Sequence, residues 1–211
     1  MSKGRVEAFS DGVFAVAITL LVLDLHVAGP GHGSLTRQLA DEWPSYFAYV
    51  VSFMVIGIIW VNHHSLLARF ARIDRTLLYL NLLLLMFITV IPFPTALFAQ
   101  YLRAGGRDSH VAAALYGVVM EGMGLAFSAI FSWGGRHPEL LHEQVGSALH
   151  RRAMRQFGLG SVVYLFTIAL AFVSAPLTLV AHFAIAVFYI VDRTAAPGAD
   201  EPEGSADPPA P

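Results

Sequence analysis

The chain has 211 residues, of which 56% are hydrophobic and only 13% charged, with a formal net charge of −2. Soluble domains carry about 25% charged residues, so a soluble body of this size could not cover its surface with so few. This excludes a soluble enzyme, and the balance of 13 basic against 15 acidic residues excludes a nucleic-acid binder that works by neutralising phosphates. The absence of cysteine removes disulfides, thiolate metal sites and thiol nucleophiles. With a mean hydropathy of +0.61, the composition is that of an all-α polytopic membrane protein.

A helix crossing the hydrocarbon core needs about 20 mostly apolar residues. In chain order, six stretches are expected to span: about Val6 to Val27, Tyr46 to Leu67, Thr76 to Leu102, Val111 to Trp133, Phe157 to Val173, and a shorter one from Pro176 to Val191. The last two, separated only by Ser174–Pro176, read as a tight helical hairpin. Pro92 and Pro94 are expected to kink or end the third helix near its outer end. The first stretch carries Asp11 and Asp24 and is followed by no small-residue cleavage site, so it reads as a true helix and not a signal peptide. The Trp43-Pro44, Tyr46 and Tyr49 cluster reads as an interfacial anchor.

Orientation follows from the basic residues. With the N-terminus inside, only Arg37, Arg103 and Arg107 lie outside, while Lys3, Arg5, Arg69, Arg72, Arg75, Arg136, Arg151, Arg152, Arg155 and Arg193 lie inside. This positive-inside bias puts the N- and C-termini in the cytoplasm of a multi-pass cell-membrane protein. Residues 1–194 are expected to form one membrane domain. Residues 195–211 hold five of the eleven prolines, four acids and no aromatic or branched aliphatic side chain, the composition of a disordered tail. Removing that tail leaves the body with a charge of about +2, so the mild overall acidity belongs to the tail.

Polar side chains at membrane depth are costly and mark sites or inter-helix contacts. On the first helix, Phe9, Gly12, Val16, Leu20, Leu23 and Val27 fall within about 40° of one line, with Thr19 at its margin. Asp11 lies on the opposite side, where it is expected to be buried. Ser10, Asp11, Trp60, Asn62, His63, His64 and Asn81 share a depth near the inner surface and are expected to form one hydrogen-bonded network. That network either locks helices together or relays protons. A metal or haem site is disfavoured, because adjacent His63 and His64 point about 100° apart. Glu121 and His182, near the middle of the fourth and sixth spans, have no evident partner at matching depth. A carrier would use Glu121, or the Asp11/His63/His64 cluster.

These residues form a pattern. Arg5-x-x-x-Phe9-Ser10-Asp11 opens the first span, Trp60-x-x-His63-His64 ends the second, and Asn81 is followed by Pro92-Phe93-Pro94 in the third. Over roughly residues 3–193 the chain resembles the transmembrane protein 175 family, potassium-permeable channels of bacteria, archaea and animal endo-lysosomes. Animal members carry two six-helix repeats and dimerise; one copy here implies a homotetramer with six helices per protomer around a pore lined by the first helix. The resemblance implies that Val16 forms the narrowest ring, that Leu20 and Leu23 form further apolar rings, and that Thr19 adds a hydroxyl ring. Such rings gate by excluding water. It also implies that Arg5, Phe9, Ser10 and Asp11 brace the pore helix without binding ions. Asp24, about 80° from Val16 near the outer mouth, is placed to concentrate cations by its field.

The family pattern implies isoleucine or leucine where this chain has Val16. The missing methylene predicts a wider bottleneck and a weaker preference for K⁺ over Na⁺. The expected function is therefore a passive K⁺ channel in the bilayer, open to other monovalent cations, with no cofactor, no nucleic-acid partner and no enzymatic activity. The alternative is a proton-coupled carrier or proton-permeable pathway.

Overall fold

The structure, a computed structural model, describes residues 2–142 and 163–194, with side chains as far as 190. Helix α1 runs Lys3–Leu20 and continues as a single 3-10 turn, Leu21–Asp24. It stops short of the expected Val27 because Leu25 is extended. The chain then enters a loop in which Gly29 and Gly33 hold φ of 89° and 93°, a region that strains residues with a Cβ. Gln38 fastens this loop. Its amide nitrogen donates to the carbonyls of Gly29 and Gly33, and its oxygen accepts from Gly29 N–H at 2.9 Å. Gln38 belongs to α2, Leu35–Asp41, whose N-cap is Ser34; this short helix lies between the expected first and second spans.

Helix α3, Trp43–Ala68, has 26 residues, about 39 Å at 1.5 Å each, and exceeds the roughly 30 Å core. The expected third span is two helices, α4, Arg75–Val90, and α5, Pro92–Ala104. They part at Ile91 because Pro92 and Pro94 have no N–H to donate to the preceding turn. Asp74 caps α4, accepting from Leu77 N–H at 2.8 Å. Its second oxygen accepts from Trp133 Nε1 at 3.1 Å. Helix α6, Arg107–Arg136, has 30 residues. Backbone bonds from Ala71 N–H to Leu140 and from His142 N–H to Arg69 tie its inner exit to the end of α3. Helix α7 covers 163–171, and α8 runs Ala175–Thr194. The expected hairpin turn lies between them, with Thr178 N–H and Oγ1 both donating to the Ser174 carbonyl.

Among the described residues, four helical segments are long and apolar enough to cross a membrane: Lys3–Asp24, Trp43–Ala68, Arg75–Ala104 and Arg107–Arg136. These correspond to the first four of the six expected spans. The apolar part of α8 is only Ala175–Ile190, about 24 Å of helix against a core of about 30 Å. The expected fifth span begins at Phe157 and lies partly outside the described residues, as do the tail 195–211 and Arg151, Arg152 and Arg155.

Helix α6 is the hub of the bundle. Tyr116, Met120, Met123 and Ile130 are fully buried along it. Its small residues let neighbours approach closely, the packing device of membrane helices, where apolar burial alone gives no driving force. A Cβ at Gly122 would overlap the Phe87 ring of α4, and one at Gly117 would meet Ile168 of α7 at 2.9 Å. Outward-facing Leu125, Phe166, Phe172 and Phe188 are well exposed, an apolar surface suited to lipid.

At the outer end, the Arg103 guanidinium pairs with Glu42, which also accepts from Ser45 Oγ at 2.9 Å. The pair joins the end of α5 to the start of α3. The bond from Arg103 is the main cause that holds the Glu42 carboxyl below its ordinary value; partial burial opposes it.

Two tests follow from this packing. Gly122→Ala is expected to cost about 1–3 kcal/mol through overpacking, read as a lower melting temperature in detergent. Because folding lowers the Glu42 value, the ion pair stabilises above the ordinary value of 4.5, and that contribution is lost as pH falls through the lowered folded-state value. Glu42→Gln should therefore lower stability by at most about 1 kcal/mol at neutral pH, since Arg103 is well solvated. In acid, the melting curves of the two proteins should converge.

Candidate pore helix and its scaffold

Helix α1 has two unlike faces. Val6, Ser10, Phe14 and Ala17 are buried against α3 and α4. The opposite face is bare: Phe9, Val16, Leu20 and Leu23 are 52%, 55%, 40% and 71% exposed, with Gly12 and Thr19 exposed beside them. The expected stripe is thus the part of α1 that the bundle leaves uncovered. Thr19 Oγ1 lies 3.0 Å from the Ala15 carbonyl and 2.9 Å from that of Val16. Its one proton is committed to its own helix, so the oxygen offers lone pairs outward.

The packed face is held by a directional hydrogen-bond chain. Ser10 Oγ donates to the Val6 carbonyl at 2.8 Å and must therefore accept from Asn81 Nδ2 at 3.0 Å. That leaves Asn81 Oδ1 to accept from His63 Nε2 at 2.7 Å, so this ring nitrogen carries the proton. The His63 ring lies 5.3 Å from that of Phe14. Ser10, His63 and Asn81 are all buried. Three helices, α1, α3 and α4, are locked together by three side chains.

The expected network is otherwise divided. Asp11 is exposed, which corrects the expectation of a buried acid; its carboxylate accepts from Trp60 Nε1 at 2.9 Å. The two flank a groove between α1 and α3 that Ala15 and Gly57 also line. Asp11 lies at the edge of the packed face, within reach of an indole from α3. Asn62 is buried but turns away, towards α6, α7 and α8. His64 and Arg5 are exposed. At the inner end, Lys3 Nζ reaches the Ala68 carbonyl at 3.4 Å and Glu7 at 3.9 Å.

Asp24 is half-buried and faces sideways. It lines a cavity of about 210 Å³ beside the end of α1, together with His26, Glu42 and Arg103. Glu121 is buried within α6. His182, expected to lack a partner, has two: its Nδ1 is 2.8 Å from the Thr178 carbonyl and its Nε2 is 3.4 Å from Thr167 Oγ1. The Tyr116 ring meets it edge-on at 5.0 Å.

A second buried chain escaped the sequence reading. Thr95 Oγ1 donates to the Ile91 carbonyl at 2.7 Å and so accepts from Ser52 Oγ at 2.8 Å. Ser52 in turn accepts from the Tyr116 hydroxyl at 3.0 Å. It joins α3, α5 and α6 beside the proline break. The break was a usable signal, but Ser52 and Tyr116 sit in spans with nothing in their spacing to pair them. Among the described residues, no group of three or more His, Cys, Asp or Glu is placed to hold a metal ion.

Comparison with known proteins agrees with this geometry. The family profile described as "Endosomal/lysosomal potassium channel TMEM175" matches residues 5–92, which include α1, α3 and α4. A potassium channel of Streptomyces collinus is 52% identical over 92% of this chain and 95% of its own length. The crystal structure of a lysosomal potassium-selective channel TMEM175 homolog from Chamaesiphon minutus superposes with a TM-score of 0.78 at 37% identity. It covers 92% of this chain and 98% of that one. The chicken endosomal/lysosomal proton channel TMEM175 is 34% identical over 68% of this chain, which spans 29% of that longer protein. With identity extending over nearly the whole length of a bacterial relative, and the same fold, this chain belongs to the TMEM175 family of membrane channels.

Proposed function

We propose that this chain is a potassium-permeable channel that conducts K⁺ passively along the bare face of α1. The observation that carries the reading is the contrast between the two faces of α1. One is pinned by the Ser10–Asn81–His63 chain, and the other is a continuous exposed row through Val16, Leu20 and Leu23. The names of the Streptomyces and Chamaesiphon relatives support potassium as the permeant ion. One helix cannot enclose a conduit, so symmetry must bring copies of the row around a common axis; a homotetramer does this. Residues 1–194 form the channel body, with α7 and α8 as the fifth and sixth spans. Both termini are cytoplasmic, in keeping with the basic inner loops, and residues 195–211 are an acidic cytoplasmic tail.

In this arrangement Val16 sets the bottleneck, Thr19 contributes an oxygen ring, and Leu20 and Leu23 add apolar levels that exclude water when narrow. Valine is small, so K⁺/Na⁺ selectivity is weak to moderate. Asp24, turned sideways, acts on cations through its field rather than by contact. Arg5, Phe9, Ser10, Asp11, Trp60, Asn62, His63, His64 and Asn81 form the structural scaffold around the pore helix, Asn62 from the side of α3 that faces α6, α7 and α8. A second reading, that protons share the conduit, draws on the name of the chicken relative.

K⁺ and Na⁺ flux into proteoliposomes, with and without a proton ionophore, tests the reading. Passive K⁺ flux is expected without a proton gradient; a strict need for one would overturn the channel and favour a carrier. An internal pH dye in the same vesicles reads proton leak directly. Val16→Phe should lower K⁺ flux by more than an order of magnitude with assembly intact, and Glu121→Gln should leave it nearly unchanged. The reverse pattern would place the conduit elsewhere.

The scaffold role makes a separate prediction. Asn81→Leu strands the His63 N–H and should cost about 1–3 kcal/mol of stability. His63→Gln, which keeps an amide donor but cannot titrate, should retain K⁺ flux in a correctly sized oligomer. Loss of all flux from a well-folded His63→Gln protein would favour proton relay through this cluster.

A further inference from the structure

Asn62 raises a question that the pore does not answer. It is 5% exposed, and among the described residues its Oδ1 finds no hydrogen-bond donor, a costly state for a buried carbonyl. The side chain lines a slot between α3, α6, α7 and α8, on the far side of α3 from the Ser10–Asn81–His63 chain. The cavity measures about 40 Å³. Buried Val55, Met123 and Phe127 line its floor, and half-buried Ile58, Ile185 and Tyr189 stand at its rim. Among the described residues of the lining, Asn62 supplies the only amide or carboxylate side chain. All these residues lie within helices, Asn62 six residues before the end of α3 and Tyr189 one before the end of the apolar part of α8, and α8 beside the rim turns Val187 and Phe188 outward. The slot therefore opens on an apolar flank of the bundle.

We infer that this slot is a binding site for a membrane-dissolved aliphatic alcohol, whose hydroxyl bonds the Asn62 amide and whose chain runs out past Ile185 and Tyr189 among the lipid tails. The chemistry is selective in a simple way. An alkane fits the walls but leaves the amide oxygen bare. A charged headgroup would have to shed its hydration in an apolar slot. A neutral hydroxyl meets the amide and is cheap to desolvate. Water needs two to four polar partners to be held in such a place, and the amide is surrounded mainly by hydrocarbon.

The test uses the full-length protein in lipid nanodiscs with a photoreactive octanol that carries a diazirine on its chain, and maps adducts by mass spectrometry. Adducts are expected at the slot, on Met123, Tyr164 or Ile185. Excess 1-octanol should suppress them about fivefold more effectively than n-octane, the weight of one neutral hydrogen bond. Asn62→Leu should lower labelling by a similar factor. Gly124 also lines the slot, and a Cβ there would only touch the Tyr164 ring at 3.8 Å; Gly124→Val should close the slot from its α6 side and remove the adducts. Three results would overturn the inference: equal suppression by octane, adducts confined to lipid-facing side chains such as Leu165 and Phe166, or an ordered water on Asn62 that 1-octanol does not displace. The comparison of alcohol with alkane needs no variant, so it stands even if a substitution fails to fold.

Discussion

A single asparagine amide determines how α1 sits. Asn81 gives its nitrogen to Ser10 and its oxygen to His63, and each partner comes from a different helix. Because the Ser10 proton is already spent on Val6, the chain can be satisfied in only one direction. At hydrocarbon depth, where water cannot substitute, a misrotated α1 would leave several polar groups without partners. Apolar contacts alone would not resist such rotation, since lipid tails satisfy an aliphatic face as well as another helix does. The polar lock thus fixes which residues α1 turns outward, and the exposed row through Val16 is its complement.

The rest of the bundle supports that lock from behind. Helix α4 carries Asn81 and is pressed against α6 at Gly122 and Phe87, while α3 carries His63 and is joined to α5 and α6 through Ser52, Thr95 and Tyr116. Each element that touches α1 is held by a further contact on its other side. The outer end is fastened by a charged pair, Glu42 with Arg103. The inner end is fastened by backbone bonds between the α3 exit and the α6 exit. Most contacts deep in the bundle are neutral hydrogen bonds and small-residue packing, which a low-dielectric setting favours; the Asp11 carboxylate on Trp60 is a charged one.

Much of this was legible in the sequence, and what escaped has physical reasons. Apolar runs marked the long spans, the proline pair marked the break at Ile91, and helical projection marked the exposed face of α1. Depth, however, is only one of two coordinates. Asn62 and His63 are neighbours at one depth and face different helices, because consecutive residues diverge by about 100°. Helix α3 is so apolar around its circumference that no stripe fixed its rotation. Asp11 looked buried for the same reason: projection found the side opposite Val16, but not how far the neighbouring helices wrap round. The partners of His182 come from α7 and from its own preceding turn, a pairing that spacing alone does not show. Helix α2 and the Gln38 clasp fell between the apolar runs that organised the reading.

The 3-10 turn at Leu21–Asp24 alters the geometry of the exposed row. A helix wound at three residues per turn advances about 120° and 2.0 Å per residue, against about 100° and 1.5 Å for an α-helix. Over the steps from Leu20 to Leu23 the difference amounts to about 60° of rotation and about 1.5 Å of rise. Leu23 therefore stands in line with Leu20, one full turn on and about 40° from Val16, where an unbroken α-helix would turn it about 60° away from Leu20. Any assembly that closes copies of α1 around an axis stacks its Leu20 and Leu23 levels in register, about 6 Å apart. A substitution that rewinds only this turn as α-helix would swing the Leu23 level by about 60° out of line with Leu20 and leave the Val16 level where it is.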